Sequence, residues 1–566
     1  MKKPTPLIAA IAVALTMAGC AGAPGSSSSA ASEGTSAAAA EVSLDPATSC
    51  DGTDSGDATA TSTSDEATAV SAENSESHAQ AADDEWEEGD VVTIALGDSV
   101  AVDSSAVTVS DSTVTITGAG TYELSGTLID GRVVVDAGDD DLVQLILNGV
   151  DITNADGAAI AVMNARTAVV IAADGSTNTL TDGSTYVLAD GEDEPNATLY
   201  STADLTITGE GALTVNGNYN DGIGAKDGLV VESGNLMVNA VDDGIRGKDY
   251  IIVGGGAITV VSGGDGLKSD NDEDATKGYV EIVAGTLSIT SGGDGIAAET
   301  DVLVSDGVFN ITTGDGSSGN VGEDSIKGIK GLVSVVIDGG TFTIDAADDA
   351  VHSNDAIVVN GGAVTIATGD DGMHADTSLE VNNATILITA SYEGLESALV
   401  TINSGDIEIH ADDDGINVAG GQDGSGLAQG PGRGGGGDAF AVNSDYQLVI
   451  TGGTIVIYSG GDGLDSNGTA EMSDGATVVH GPTANNNGAI DAGSFDVTGG
   501  LLIAVGSAGM ARASHPRQAR LPSRRSSTAP VPGGPWSTSR ATEASPCSPS
   551  SRRRTSHRSC FRHRTW

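Results

Sequence analysis

Residues 243–265 read DGIRGKDYIIVGGGAITVVSGGD, and this stretch decides the fold. Tyr250 to Val253 and Ala257 to Val261 have the β-branched, apolar composition of short strands, and glycines separate them. Apolar residues do not recur at helical spacing here, and glycine is too frequent for a helix interior. The stretch starts and ends at the same motif, an acid followed by Gly and an apolar residue. It therefore predicts a repeat unit of two strands and tight turns.

The Asp-Gly-apolar motif recurs along the chain with a basic spacing of about 22 residues, lengthened in places by insertions. Short strands with tight turns at this period are typical of one coil of a parallel β-helix. Coils of such a solenoid stack about 4.8 Å apart, so we expect the acids to form a column and the apolar residues to point inward. The ten motifs start at Asp221, Asp243, Asp265, Asp294, Asp324, Asp349, Asp371, Glu393, Asp414 and Asp462.

The N-terminus has the features of an exported, lipid-anchored protein. Residues 1–20 combine a basic start, an apolar run too short to span a membrane, and small residues before Cys20. This segment resembles the lipobox of bacterial lipoproteins, which implies cleavage before Cys20 and a lipid on its sulfur. The alternative is an ordinary signal peptide with an incidental Cys, and the place of Cys20 at the expected cleavage site favours lipidation. Residues 21–89 are acidic and rich in Ser and Ala, and they predict a disordered stalk. We therefore expect the protein in the cell envelope, facing outside.

The rest of the chain divides into three parts. Residues 90–215 show strands with a weaker motif and predict an N-terminal cap with the first coils, whereas residues 216–510 form the regular β-helix. Residues 511–566 hold 12 of the 24 basic residues and lack the repeat. We interpret this tail as a disordered frameshift product, with a genuine basic tail that binds anionic wall polymers as the alternative.

Composition limits the possible partners. The chain has 566 residues, 80 of them Gly, only 3% aromatic residues, and a formal net charge of −56. Residues 1–511 carry 12 basic and 79 acidic residues, a net charge of −67. Such a charge argues against nucleic acid as a partner. The narrow interior of a β-helix suits a chain of small and β-branched residues, and we expect a monomer.

A column of carboxylates at coil spacing needs protons or cations. One source of positive charge is the group of basic residues near the first motifs, and the other is a metal ion. Residues 270–274 read DNDED and lie in an insertion that joins this column. Hard oxygen ligands on a loop are suited to calcium, and the alternative is a solvated acidic loop with weak surface salt bridges. The predicted calcium ligands are Asp243, Asp265, Asp270, Asp272, Asp274 and Asp294.

Several ordered motifs between residues 90 and 510 resemble the bacterial β-helical carbohydrate-binding proteins that bind cellulose and polygalacturonate, whose fold is similar to calcium-dependent pectate lyases. They are GTYELSGTL at 120–128, LILNGVDI at 145–152, EPNA at 194–197, DGI at 221–223, DGIRGKD at 243–249 and DGLKSDN at 265–271. The resemblance implies a right-handed β-helix, bound calcium, and binding of acidic plant polysaccharide. The basic residues placed to contact such a polymer are Lys226, Arg246, Lys248 and Lys268.

Three functions remain open from the sequence. The first is a polysaccharide-binding lipoprotein that holds polyuronate through calcium. The second is a pectate-lyase-like enzyme, in which Lys226, Lys248 or Lys268 would act as the base, although these lysines are also explained as ion-pair partners of the acids. The third is a structural adhesin without a sugar site.

Two histidines follow the acid at equivalent places in adjacent repeats. His352 and His374 are 22 positions apart, a spacing that would let them share a transition metal. No Cys or third His joins them, and the sequence favours two surface positions in a repeat.

Overall fold

The computed structural model describes residues 74–80, 82–188, 191, 194–319, 325–419, 445–485 and 487–507. Cys20, the signal segment, most of the stalk and the tail after residue 510 lie outside these ranges. The described residues form 41 strands and two single 3-10 turns, Glu88–Asp90 and Gly316–Ser318. They contain no α-helix, and therefore no helix long and apolar enough to cross a membrane. The all-β prediction is confirmed.

The first part of the chain makes a hairpin and then enters parallel coils. β2 and β3 pair antiparallel, whereas β1 pairs parallel with β4, and β4 with β6. The strands are β1 (Val92–Leu96), β2 (Val107–Ser110), β3 (Thr113–Ile116), β4 (Gly120–Leu128), β5 (Arg132–Asp136), β6 (Leu142–Thr153), β7 (Ile160–Asn164), β8 (Thr167–Ala172), β9 (Thr177–Thr181), β10 (Ala197–Ser201), β11 (Asp204–Thr208) and β12 (Ala212–Gly217).

From β10 to β30 the repeat is regular. Each strand from β10 to β28 pairs parallel with the strand three places later, so that every coil has three strands and the coils form three parallel stacks. The strands are β13 (Asp221–Ala225), β14 (Gly228–Val231), β15 (Asn235–Ala240), β16 (Ile245–Gly247), β17 (Tyr250–Val253), β18 (Ala257–Ser262), β19 (Leu267–Ser269), β20 (Tyr279–Ile282), β21 (Thr286–Ser291), β22 (Ile296–Ala298), β23 (Asp301–Val304), β24 (Val308–Thr313), β25 (Ile329–Gly331), β26 (Ser334–Ile337), β27 (Thr341–Ala346), β28 (Val351–Ser353), β29 (Ala356–Val359) and β30 (Ala363–Thr368).

In the last coils the first and second stacks partly merge. β31 pairs with both β28 and β29, and β33 pairs with both β35 and β36. The strands are β31 (Met373–Val381), β32 (Ala384–Ala390), β33 (Leu395–Ile402), β34 (Gly405–Ala411), β35 (Ile416–Val418), β36 (Gln447–Ile450), β37 (Thr454–Ser459), β38 (Leu464–Met472), β39 (Ala476–His480), β40 (Ile490–Val497) and β41 (Leu501–Val505).

The interior is a continuous apolar core of stacked side chains. Phe309 and Phe342 lie on adjacent coils with nearly parallel rings and centroids 4.3 Å apart. Short strands are sufficient to build this core because each coil adds one layer of Val, Ile or Leu to the same column. The residue after each Asp-Gly points inward as expected: the motif residues Ile223, Ile245, Leu267, Ile296, Val351, Met373, Leu395, Ile416 and Leu464 are each 0–1% exposed.

The motif predicted to start at Asp324 is wrong by three residues. The pairing of β22 with β25 aligns Ile296 with Ile329, so the residue that follows Asp294 in the column is Lys327, not Asp324. Residues 320–324 lie outside the described ranges, in an insertion that displaces the motif by three positions. The column of acids is therefore interrupted by one lysine.

The end of the predicted stalk lies against the β-helix. The amide of Ser75 donates to the carbonyl of Thr276 at 2.7 Å, and the Tyr279 hydroxyl donates to the Ser75 carbonyl at 2.8 Å. The amide of His78 donates to the Tyr250 hydroxyl at 2.8 Å. The stalk prediction for 21–89 therefore differs from the structure at its C-terminal end, because polar composition did not reveal these hydrogen bonds.

Candidate functional site

A row of acidic side chains runs along the first stack, and we call it the acid row. Its carboxylates accept hydrogen bonds from the next coil: Asp243 Oδ1 accepts from the amide of Asp265 at 2.8 Å, and Asp265 Oδ1 accepts from the amide of Asp294 at 2.7 Å. The same bond recurs further along the row, where Asp349 Oδ1 accepts from the amide of Asp371 at 3.1 Å. Its members are Asp221, Asp243, Asp265, Asp294, Lys327, Asp349, Asp371, Glu393, Asp414 and Asp462.

The Asp-Gly pair has a structural reason at each turn. Two hydrogen bonds join this turn to the next one. The amide of Gly244 donates to the carbonyl of Asp265, and the amide of Asp265 donates to the Asp243 carboxylate. A Cβ at Gly266 would lie 2.4 Å from the carbonyl oxygen of Gly295 and 2.5 Å from a methyl of Ile289, so only glycine fits. The acid and the glycine together therefore connect successive coils.

A second row, which we call the partner row, starts three residues after Asp243 and follows the acid row at that offset; its last member, Asp491, lies three residues after Gly488. Strand pairing places these residues in one line, each on the coil after the previous one. The character of the row changes along the axis, from basic through histidine to acidic. Its members are Arg246, Lys268, Ala297, Lys330, His352, His374, Glu396, Asn417, Asp465 and Asp491.

At the N-terminal end the partner row neutralises the acid row. Lys268 Nζ lies 2.9 Å from Asp265 Oδ2 and 3.1 Å from Asp243 Oδ2. Burial lowers the pKa of Lys268, but the charges of Asp243 and Asp265 outweigh it and raise the pKa overall. Lys330 Nζ contacts Asp294 at 3.2 Å. The acids predicted to bind calcium here thus have ammonium partners and backbone donors.

The four residues predicted to contact sugar do not form one patch of equivalent side chains. Arg246 and Lys268 are neighbours in the partner row, whereas Lys226 pairs with Glu194 and Lys248 lies 4.0 Å from the exposed Glu273. The side chains of all four remain between 32% and 46% exposed. They are accessible from one side while each contacts a carboxylate.

Two of the three acids predicted to bind calcium in the loop at residues 270–274 accept hydrogen bonds from the protein itself. Arg246 donates to Asp270 Oδ2 through Nη2 at 2.6 Å and Nε at 3.0 Å, and Asp274 Oδ1 accepts from the amide and hydroxyl of Thr276. Asp272 is exposed. Among the described residues, the groups of three ligand atoms that lie within 4.8 Å of one another are found elsewhere. The loop ligand set remains a prediction.

At the C-terminal end the partner row is itself acidic. Asp462, Asp465 and Asp491 each offer a carboxylate oxygen within 4.8 Å of the others. Burial first, and then the charge of Asp465, raise the pKa of Asp414 to about 8. Burial and Asp491 likewise raise the pKa of Asp462. A set of carboxylate oxygens alone fits calcium, which takes hard oxygen ligands.

The middle of the two rows holds the histidines. His374 is buried at 6% exposure, and His352 contacts Asp349 through Nδ1 at 2.8 Å. Both rings lie on the outward side of their strands, in the row of Lys268 and Lys330, as expected for surface positions. They are more enclosed than expected, because each Nδ1 contacts an acid-row carboxylate and the side chains of His352 and His374 are only 13% and 8% exposed. Lys327 Nζ lies 2.6 Å from Asp348 and 2.9 Å from Asp349.

A stack of rings borders a cleft on another face. His410, Tyr458 and His480 lie at paired positions of β34, β37 and β39, with centroids 4.6 and 4.5 Å apart and rings nearly parallel. They line a cleft of about 440 Å³, and Tyr458 is 39% exposed. Sequence reasoning missed this site because 48 residues separate His410 from Tyr458. Two histidines facing one tyrosine at β-strand register would have been the signal.

Comparison with known proteins points to carbohydrate. Residues 110–372 match a family described as "Carbohydrate-binding domain-containing protein". A protein of the same description from Acetivibrio thermocellus is 42% identical over 135 residues, which cover 24% of this chain and 47% of that protein. The chain thus spans about half the length of this curated relative. Residues 110–372 contain the basic part of the partner row and His352.

One solved structure is also similar. It is the polysaccharide lyase-like protein from C. thermocellum, as a gadolinium derivative, with 38% sequence identity and a TM-score of 0.37. The match covers 39% of this chain and 90% of that chain.

Proposed function

We propose that this protein is a lipid-anchored protein of the cell envelope that binds acidic polysaccharide, such as polygalacturonate, with the help of calcium. The match of residues 110–372 to a carbohydrate-binding family carries this proposal. That segment includes Arg246, Lys268 and Lys330, the basic end of the partner row, where positive charge is accessible at the surface. The lipid anchor on Cys20 follows from the sequence of the first 20 residues.

Bound calcium would overcome the electrostatic repulsion between this acidic protein and an acidic polysaccharide. A body of net charge −67 repels a polyanion, and the repulsion is long-ranged at low salt. A divalent ion held by protein carboxylates can also accept uronate oxygens, so it converts repulsion into a bridge. The carboxylates of Asp462, Asp465 and Asp491 are suited to this role by chemistry and proximity.

The lyase alternative is less favoured by the electrostatics of Lys268. A general base must give up its proton near the working pH. Asp243 and Asp265 raise the pKa of Lys268 against the opposing effect of burial, so this lysine keeps its proton. It therefore fits an ion-pair partner or a contact for a uronate group better than a base.

Binding of polygalacturonate to the full chain, with calcium and with chelator, tests the proposal. We expect binding in calcium, loss in chelator, and weaker binding of the Lys226/Lys248/Lys268 triple Ala variant. Arg132→Ala, which removes the positive charge of an exposed residue of β5 outside this group, serves as the control and should bind normally. Equal binding in chelator contradicts the calcium bridge, and ultraviolet absorbance from new double bonds would instead establish the lyase.

The cleft beside Tyr458 favours a neutral sugar as a second ligand. Aromatic side chains present a large apolar surface with polar neighbours, which suits the apolar face of a pyranose. The cleft combines the ring stack with Asp412 and Thr483. Soluble cello-oligosaccharides should bind wild type more tightly than Tyr458→Ala, independently of calcium. No difference between the two proteins removes this site from the proposal.

A further inference from the structure

Two imidazoles and a carboxylate meet in the middle of the partner row. His352 and His374 occupy paired positions on β28 and β31, with ring centroids 5.1 Å apart. One ligand atom each of Asp349, His352 and His374 lies within 4.8 Å of the others. The side chains are held in place by burial, with exposures of 5%, 13% and 8% respectively. We propose that these three residues bind a divalent transition-metal ion, zinc in the first instance.

The donor set selects the class of ion. Zinc binds imidazole nitrogen and carboxylate oxygen at about 2.0–2.2 Å in a tetrahedral arrangement, which places ligand atoms about 3.3 Å apart. Separations of up to 4.8 Å in the metal-free arrangement need only small side-chain rotations to reach that geometry. Calcium prefers an all-oxygen set of about six to eight ligands, so two imidazoles point to zinc, copper or nickel instead.

An outer contact orients the ring of His352 as a metal-bound histidine requires. A ligating histidine usually donates its other ring N–H to a carbonyl or carboxylate oxygen. His352 Nε2 lies 3.0 Å from Asn354 Oδ1, whereas His374 Nε2 lies at an ion-pair distance of 3.5 Å from Asp376 Oδ1. The Nδ1 atoms of both rings face the acid row, at 2.8 Å from Asp349 and 3.2 Å from Asp371. Nδ1 is thus the ligand atom of each ring.

The charge around the site also favours a cation. Asp348, Asp349, Asp370, Asp371 and Glu396 are all buried. Ionised groups in such a place are usually paired or coordinate a metal. Lys327 supplies one positive charge beside Asp348 and Asp349, and a divalent ion between the histidines would supply two more. Glu396 lies with Asp371 and His374 in a second group of close ligand atoms that shares His374 with the first.

A metal here would join two coils that are otherwise held by strand pairing and packing. Its role is therefore structural, and it does not depend on sugar binding. Because metal binds the folded state, it should raise the melting temperature in proportion to the logarithm of its concentration.

The test is zinc titration of the full chain after removal of metal by chelator. Wild type should bind one more zinc ion than His352→Ala/His374→Ala, and Co²⁺ should give visible absorption bands of a tetrahedral site that the variant lacks. The control is His410→Ala/His480→Ala, which removes the same number of histidines from the ring stack and should keep the ion. If the double variant does not fold, His352→Gln provides the same comparison, with zinc affinity expected to fall at least tenfold. Equal zinc stoichiometry in wild type and the double variant, or equal zinc affinity in wild type and His352→Gln, overturns the proposal.

Discussion

The amide of Asp265 donates a hydrogen bond to the carboxylate of Asp243, 22 residues earlier, at 2.8 Å. The relation makes each acid an acceptor for the backbone of the coil that follows. A buried amide without an acceptor costs free energy comparable to a lost hydrogen bond. The acids of the repeat are therefore structural elements before they are ligands of anything.

Removal of one acid-row carboxylate should weaken the solenoid. Asp265→Ala leaves the amide of Asp294 without its acceptor and Lys268 with one carboxylate fewer. We expect a loss of about 1–3 kcal/mol in the free energy of unfolding, measured by urea denaturation. Asp265→Asn retains an acceptor oxygen and should lose less, and Asp272→Ala, in an exposed position, should lose almost nothing. Equal losses for the three variants would contradict the cross-coil role.

Lys327 should be the least replaceable cation of the two rows. Its ammonium contacts Asp348 and Asp349, and the three side chains are 14%, 10% and 5% exposed. Lys327→Met would bury two carboxylates beside an apolar side chain, at a cost of about 3–5 kcal/mol. Lys248→Met, whose lysine faces exposed Glu273 at 4.0 Å, should cost below about 1 kcal/mol. Similar unfolding midpoints for the two variants would count against the assignment of Lys327 to the acid row.

Stability should fall as the pH rises from 5 to 9. Burial and the neighbouring charge of Asp243 raise the pKa of Asp221 to about 7, and burial with Asp465 raises that of Asp414 to about 8. An acid whose folded pKa is raised contributes stability below its unfolded pKa of about 3.9, and this contribution is lost as the pH passes the folded value. In chelator, the melting temperature should therefore decrease across this range.

Asp414→Asn isolates one of these two groups. Asparagine keeps an oxygen that can accept from the amide of Asp462, which lies 2.5 Å from Asp414 Oδ1, and it removes the charge. At pH 9 the variant should be more stable than wild type by at least about 1.4 kcal/mol, the free energy of one pKa unit, because it does not bury the charge that raises the pKa of Asp414. At pH 4 the two proteins should melt alike. A variant that is less stable than wild type at pH 9 would refute the raised pKa.

Calcium should raise the melting temperature, and its location can be separated by two variants. Asp462/Asp465/Asp491→Asn removes the carboxylate group that the structure brings together, and we expect it to abolish the shift. Asp270/Asp272/Asp274→Asn removes the loop predicted from sequence, where Arg246 already contacts Asp270. If only the loop variant loses the calcium-dependent rise in melting temperature, the calcium site lies in the loop at residues 270–274. No shift in wild type would remove calcium from the proposed function.

Sequence periodicity was enough to predict parallel coils, the inward apolar residues and the column of acids. Those features depend on a local pattern that repeats, so the spacing of Ile223 and Ile245 already contains them. The place of Lys327 was not predictable, because an insertion shifts the motif and only strand pairing restores the register. The backbone donors of the acid row were missed for a related reason, since they belong to the next coil.

The candidate site was predicted in part. The sequence correctly made Lys268 an ion-pair partner of the acids, since it contacts Asp265. The same expectation was wrong for Lys226 and Lys248, which contact Glu194 and Glu273 outside the acid row. It did not foresee that Asp270 would be taken by Arg246, or that His374 would be buried. Both outcomes depend on which side of the turn a side chain takes, and residue spacing alone does not encode that choice.

The contacts of residues 75–78 have a mechanical consequence. Ser75 and His78 are bonded to Thr276, Tyr279 and Tyr250, on coils far along the chain from β1. A pull on the chain at residue 74 would therefore reach the solenoid near its middle, and the early coils would form a slack loop that bears no tension. These few bonds would break first under load, and the force would then pass to the contacts of Asp83 with Gln144 and Arg166 before it reached the first strands. The hydrogen bonds of residues 75–78 would therefore yield before the strand pairing of the coils when the chain is pulled from its N-terminal side.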